Sequence, residues 1–298
     1  MGHAHSHGHN HSHGHHHRPP STSAAFRWSV LLNSLLTGLQ LVIGFGFGSL
    51  ALVADALHNL GDVVGLLLGW GAERLSLRPA RGRFTYGFGR STHLAALLNA
   101  LLVLLAGGAV VLEGVTRLQQ PEPMVAMPVA WAALAGIVVN LLSARLFGLG
   151  HQHDLNRRAA VLHLLSDAAV SAAVLVTVLL VKFTGWVVLD AVTAIVVGLA
   201  VMASAARLLR EALHASLDAV PAGLDHSQIE QALLAVPGVE AVLELHVWAV
   251  STSAVALTAH LRCRRQHLAQ PELLLRAVDQ QLAAFGIRKS TLQLEPAD

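Results

Sequence analysis

Charged residues are scarce in this chain. Asp, Glu, Lys and Arg together make up 13% of its 298 residues, about half the share an ordinary soluble domain carries. Cysteine is nearly absent: Cys263 stands alone, which excludes an internal disulfide and any cysteine-built zinc cluster. Lysine occurs only at Lys182 and Lys289, and a net charge of +2 is too small to suggest a nucleic-acid partner. The HExxH signature of a helix-borne metallohydrolase is missing as well. No short apolar core precedes a small-residue cleavage site at the N-terminus. A cleavable signal peptide is therefore not expected, and the first apolar span should act as its own insertion signal.

Apolar residues fill the space that charge leaves, at 54% of the chain. They gather into six runs long enough to cross a bilayer at about 20 residues each: 26–47, 51–73, 91–117, 126–148, 159–182 and 186–206. The loop between the second and third runs holds Arg74, Arg78, Arg81, Arg83 and Arg90. The loop after the fourth holds Arg157 and Arg158, whereas the loops after the first and third hold no Lys or Arg. This alternation places both termini and the Arg-rich loops in the cytoplasm.

Two of the runs carry the same polar lettering. LHNLGD (57–62) lies in the second and LHLLSD (162–167) in the fifth, and each offers a His and an Asp four residues apart. At helical spacing those residues share one face. His58 with Asp62, and His163 with Asp167, thus form two half-sites whose imidazoles and carboxylates together suit tetrahedral Zn²⁺. An Asp at the centre of a membrane helix costs about 2.5–3.5 kcal/mol on insertion scales, so its presence points to a function. Two carboxylates are neutral around Zn²⁺, and without metal protons must take its place. Zn²⁺ and H⁺ therefore compete for one site, as they do in an exchanger.

Other polar residues leave two readings open. Asp55, one turn before His58, reads either as an exit-path carboxylate or as a helix-start residue at the membrane interface. Asn33, Asn99 and Asn140 are expected to tie helices together by hydrogen bonds. Glu113 and Arg117 should pair at i,i+4, and Asp190 should cap the sixth span. Residues 1–25 form a His-rich tail, expected to be disordered. Its His3, His5, His7, His9, His11, His13, His15, His16 and His17 read as metal-gathering or as a purification tag. His151 and His153 in the fourth loop read as a metal relay or as solvated loop residues.

From residue 207 the pattern changes. Asp225–Val236 reads as an N-capped amphipathic helix broken by Pro237-Gly238. Val239–Val250 and Ala254–Cys263 read as strands, Pro271–Phe285 as a helix and Ser290–Leu294 as a last strand. The expected architecture is a six-helix transmembrane domain (26–206) followed by a small α+β domain, α-β-β-α-β (207–298).

The segments SLALVADALHNLGD (49–62), RFTYGFGRSTHLAALLNALLVL (83–104), LNRRAAVLHLLSD (155–167), LREALHASLD (209–218) and LHVW (245–248) closely resemble the cation diffusion facilitator family. The resemblance covers nearly the whole chain and is strongest to zinc-exporting members. It implies a homodimer in the cytoplasmic membrane of a bacterium, with a ferredoxin-like, metallochaperone-like cytoplasmic domain, that exports Zn²⁺ in exchange for protons. It also implies that His58, Asp62, His163 and Asp167 are the transport ligands, in the form associated with zinc preference, with Cd²⁺, Co²⁺ or Ni²⁺ left open as further cargo. Three departures stand out. Thr92 replaces a Glu common after the third-span Arg. The RPARGRF loop lacks the His or Asp of an extra metal site. Leu243 and Arg288 replace two cytoplasmic ligands, leaving His246, His260 and Glu295 as a weakened set. An intramembrane metalloenzyme is disfavoured because no general base accompanies the site, and a membrane-anchored metal sensor because its cytoplasmic ligands are depleted.

Overall fold

A computed structural model describes residues 24–146, 155–252 and 254–297. The histidines at 3–17, with His151 and His153, lie outside the described residues. Six helices come first: α1 (Ala24–Gly46), α2 (Leu50–Ser76), α3 (Ser91–Gln119), α4 (Ala126–Leu146), α5 (Leu155–Thr184) and α6 (Val188–Ser216). Helices α2 to α6 are each long and apolar enough to span a membrane, and α1 contributes the shorter apolar helix Val30–Gly46. Many large apolar side chains face outward, among them Val42 (73% exposed), Leu112 (72%) and Trp131 (65%). A water-facing surface would not carry them, but lipid solvates them well.

The two ends of the bundle are distinguishable. At the far end, the α1–α2 turn meets the α3–α4 connection through a hydrogen bond from the Val125 N–H to the Phe47 carbonyl. Arg117 pairs with Glu113 at 3.0 Å, as its spacing predicts, and also donates to the Gly48 carbonyl at 2.8 Å. Asp190 differs from its sequence reading. It lies buried inside α6, whose N-cap is Val187. Its carboxylate caps α2 instead, accepting from the Ser49 hydroxyl and the Leu50 N–H, both at 2.6 Å, and from the Ala51 N–H. A helix start buried away from water needs such acceptors for its free N–H groups. The asparagines also depart from expectation. Asn140 is buried with neither side-chain atom hydrogen-bonded, and the Asn99 carbonyl oxygen has no partner. The bundle is tied instead by Gln40, a residue the sequence reading passed over.

At the near end, α6 runs past the expected limit at 206 to Ser216, because its last three turns turn amphipathic, with Arg207, Arg210 and Glu211 exposed. Asp218, in a left-handed conformation, then pairs with Arg90 at the start of α3. Thr92 donates to the Gly89 carbonyl and accepts from the Thr252 N–H. Thr92 thus belongs to the joint between the two domains.

The C-terminal domain is a three-stranded sheet in the order β1 (Val239–Ser251), β2 (Ala254–Cys263), β3 (Lys289–Pro296). β1 and β2 pair antiparallel; β2 and β3 pair parallel, joined across α8 (Arg265–Leu268) and α9 (Pro271–Ala284). Helix α7 (His226–Leu234) starts at the Asp225 cap foreseen from the sequence. Ile229 and Leu233 of α7, with Leu274, Val278 and Leu282 of α9, pack against Leu257, Leu261 and Cys263 of β2. Each such buried aliphatic side chain contributes about 1.5–3 kcal/mol. The alternation along β2 sends Thr258, His260 and Arg262 to the opposite face.

Candidate metal centre

The candidate centre begins with two glycines. A Cβ on Gly61 would stand 2.7 Å from Val103, and one on Gly65 would stand 2.7 Å from Asn99. Both contacts are on α3, so the bare backbone of α2 lets α3 press close on one side. The adjoining face of α2, carrying His58 and Asp62, is left to meet α5.

Across that interface the half-sites interlock. His58 Nε2 lies 3.3 Å from Asp167 Oδ1 on α5, and His163 Nε2 lies 3.3 Å from Asp62 Oδ2 on α2. The pairs along each helix are longer, 4.0 Å for His58–Asp62 and 3.7 Å for His163–Asp167. A tetrahedron of donors about 2.0 Å from Zn²⁺ has edges of about 3.3 Å. The two cross-helix distances match that edge, and the two along the helices exceed it by less than an ångström, with His58 and His163 facing different oxygens of Asp167. The imidazole planes stand at 86° to each other with centroids 6.2 Å apart, so the rings do not stack across the gap. Among the described residues, His58, Asp62 and Asp167 form the group of ligand atoms that lie mutually within 4.8 Å; His163 falls outside that group, although its Nε2 approaches Asp62 at 3.3 Å and Asp167 at 3.7 Å. Asp62 Oδ2 and Asp167 Oδ1 are buried and make no well-aligned hydrogen bond, each facing the imidazole nitrogen 3.3 Å away on the other helix. Two carboxylates so close together in a membrane domain suit a dication.

Asp55 has neither the exposure nor the place of a helix-start residue. It is fully buried, and its Oδ2 accepts from Gln40 Nε2 of α1 at 3.0 Å and from the Ser171 hydroxyl of α5 at 2.8 Å. Asn59 donates in turn to Gln40 at 3.4 Å. The sequence signals for these partners are a glutamine deep in a largely apolar helix and a serine one turn beyond Asp167.

In the C-terminal domain the predicted set does not gather into one ligand group. His260 Nδ1 lies 3.8 Å from Glu295, but equally 3.8 Å from Glu244. His246 is taken up by Glu244 at 3.0 Å. Glu244, opposite His260 in the β1–β2 register, was not singled out from the sequence. It occupies the centre of the cluster, where it compensates two histidines. The His246 ring beside Glu244 holds its carboxyl below the usual range. Whatever stability this adds is present at neutral pH and is lost as acid protonates Glu244. The four residues do not fit a closed metal shell in this arrangement.

Comparison with known proteins accords with both halves. The family model described as the cation efflux transmembrane domain matches residues 27–215. A second, described as the cation efflux protein cytoplasmic domain and named ZT_dimer, matches residues 221–297. The chain is 32% identical to the metal cation efflux system protein CzcD of Cupriavidus metallidurans, over 99% of this chain and 90% of that protein. It is 33% identical to the zinc transporter ZitB of Escherichia coli, over 99% of this chain and 93% of that one. It is 28% identical to a cadmium, cobalt and zinc/H⁺-K⁺ antiporter of Bacillus velezensis, over the whole chain and 93% of that protein.

Proposed function

The chain belongs to the cation efflux family, and on that footing we propose that it carries Zn²⁺ out of the cytoplasm in exchange for protons. The ion would bind between His58, Asp62, His163 and Asp167. The observation that carries this reading is the crossed pairing of His58 with Asp167 and of His163 with Asp62, both at 3.3 Å. Each helix supplies half a coordination shell, so binding depends on how the two helices lie against each other. A tilt between them would make, break or re-expose the site, which is what alternating access requires.

Charge supports the coupling. With Zn²⁺ bound, the two carboxylates are neutralised; with the site empty, they must be neutralised by protons. A bare site is costly in lipid, so the helices change sides carrying one cargo or the other. The printed names of relatives fit this reading: ZitB is a zinc transporter, and the Bacillus protein exchanges cadmium, cobalt and zinc against H⁺ and K⁺. The cytoplasmic membrane, with both termini inside, follows from the Arg-rich loops. A homodimer follows from the family of the C-terminal domain.

Inside-out vesicles loaded with an acidic lumen provide the test. The expected result is ⁶⁵Zn²⁺ accumulation that collapses when a protonophore dissipates the gradient. Uptake indifferent to the gradient would remove the proton coupling, and no uptake by folded protein would remove the export reading.

A further inference from the structure

Burial along the two ligand-bearing helices follows one direction. Every residue of α2 from Leu50 to Ala56 is buried; beyond that point only Asn59 and Ala72 are. The ligands show the same gradient. Side-chain exposure is 2% at Asp167 and 21% at His58, but 37% at Asp62 and 49% at His163. Helix α2 runs towards the Arg-rich loop, which touches the C-terminal domain through Arg90 and Asp218. Asp62 and His163 are therefore the ligands nearer the cytoplasmic domain, and the site opens on that side. On the other side, one turn further along each helix, stand Asp55 on α2 and Ser171 on α5, both fully buried.

These two residues join the helices there. Beyond the paired metal ligands, the bond from the Ser171 hydroxyl to Asp55 is the hydrogen bond between α2 and α5 among the described residues. Gln40 brings α1 to the same carboxylate oxygen. Helix α4 covers the group through Gly136, where any Cβ would stand 2.7 Å from the Ser171 hydroxyl and 2.9 Å from the Gln40 amide. Three helices thus converge on one carboxylate oxygen, and a fourth seals it with bare backbone. The second oxygen of Asp55 is buried with no partner.

We infer that Gln40, Asp55 and Ser171 form the gate that closes the metal path on the side away from the cytoplasmic domain. The inference rests on the transport reading above. With the gate shut, α2 and α5 are pinned together outside the metal centre and splayed inside it. Opening requires Ser171 to leave Asp55 as α5 tilts from α2, and the freed carboxylate then lines the path the ion takes outward. A hydroxyl-to-carboxylate bond suits that task, since it is strong enough to hold a closed state and weak enough to break in each cycle.

The test uses Val174, fully buried one turn beyond Ser171 on α5. In the full-length Val174→Cys protein in intact cells, a membrane-impermeant maleimide is applied from outside. The native Cys263 is buried in the C-terminal domain, and burial pushes its thiol up, so it gives little background. Adding Ser171→Ala or Asp55→Ala should speed labelling at least about fivefold, the population change that follows loss of one such bond. Val129→Cys, equally buried in the same core on α4, reports general loosening and should stay unlabelled with either change. Labelling at 174 no faster in either variant would overturn the gate, as would equal acceleration at 174 and 129. Labelling needs no zinc flux, so faster labelling in a protein that moves no ⁶⁵Zn²⁺ would fault the exporter reading and leave the gate standing.

Discussion

Asp167→Asn is expected to weaken zinc binding at the membrane centre by about 100- to 4,000-fold, and to bring transport close to background. Asp167 is buried and 3.3 Å from His58 of the other helix. Breaking a buried charged partnership costs about 3–5 kcal/mol, which corresponds to that loss of affinity. The amide still accepts a hydrogen bond but leaves one positive charge on Zn²⁺ uncompensated in lipid. His58→Ala should cost less, because water can replace a neutral ligand. The check is ⁶⁵Zn²⁺ uptake over a range of zinc concentrations, with ⁶⁵Zn²⁺ binding measured on the same preparations. A variant within about threefold of the native affinity would show that Asp167 does not hold the ion.

The second large effect concerns stability. Asp190→Ala should lower unfolding stability by about 3–5 kcal/mol, because it strips acceptors from several buried donors at once, each worth about 1–3 kcal/mol. Those donors are the Ser49 hydroxyl and the Leu50 and Ala51 N–H groups at the start of α2. Asp190→Asn keeps one acceptor oxygen and should cost about half as much. Thermal unfolding of the purified protein in detergent measures both. A loss below about 0.5 kcal/mol for the Ala variant, the range of an ordinary surface change, would mean that α2 does not depend on this cap. Because Asp190 sits well away from the metal ligands, zinc affinity of the surviving folded fraction should be unchanged.

Local pattern made much of this molecule legible. The i,i+4 spacing put each His and Asp on one helical face, and antiparallel spans let the two faces meet. The Asp225 cap, the Pro237-Gly238 break and the alternation along β2 marked the C-terminal elements within a residue or two. What sequence reading missed has a common origin in partners far apart along the chain. Asp190 looked like a cap for its own helix, yet its acceptor oxygens meet a helix start about 140 residues earlier. Gln40 has its partners, Asp55 and Asn59, on the next helix, and no local spacing announces them. Asn99 and Asn140 looked like helix ties, but the close approach at Gly65 leaves Asn99 packed on backbone. Glu244 is two residues from His246 on one strand, and only the β1–β2 register brings it opposite His260.

The central claim is that one dication is held jointly by α2 and α5 and displaced by protons. Its most direct test is equilibrium ⁶⁵Zn²⁺ binding to detergent-purified protein whose tail and loop histidines (3–17, 151 and 153) are replaced, at about pH 8 and about pH 6. One tight site per chain is expected, at least about tenfold weaker at the lower pH, and lost when Asp62 and Asp167 are both changed to Asn. Zinc held with native affinity by that double variant, or with the same affinity at both pH values, would contradict it.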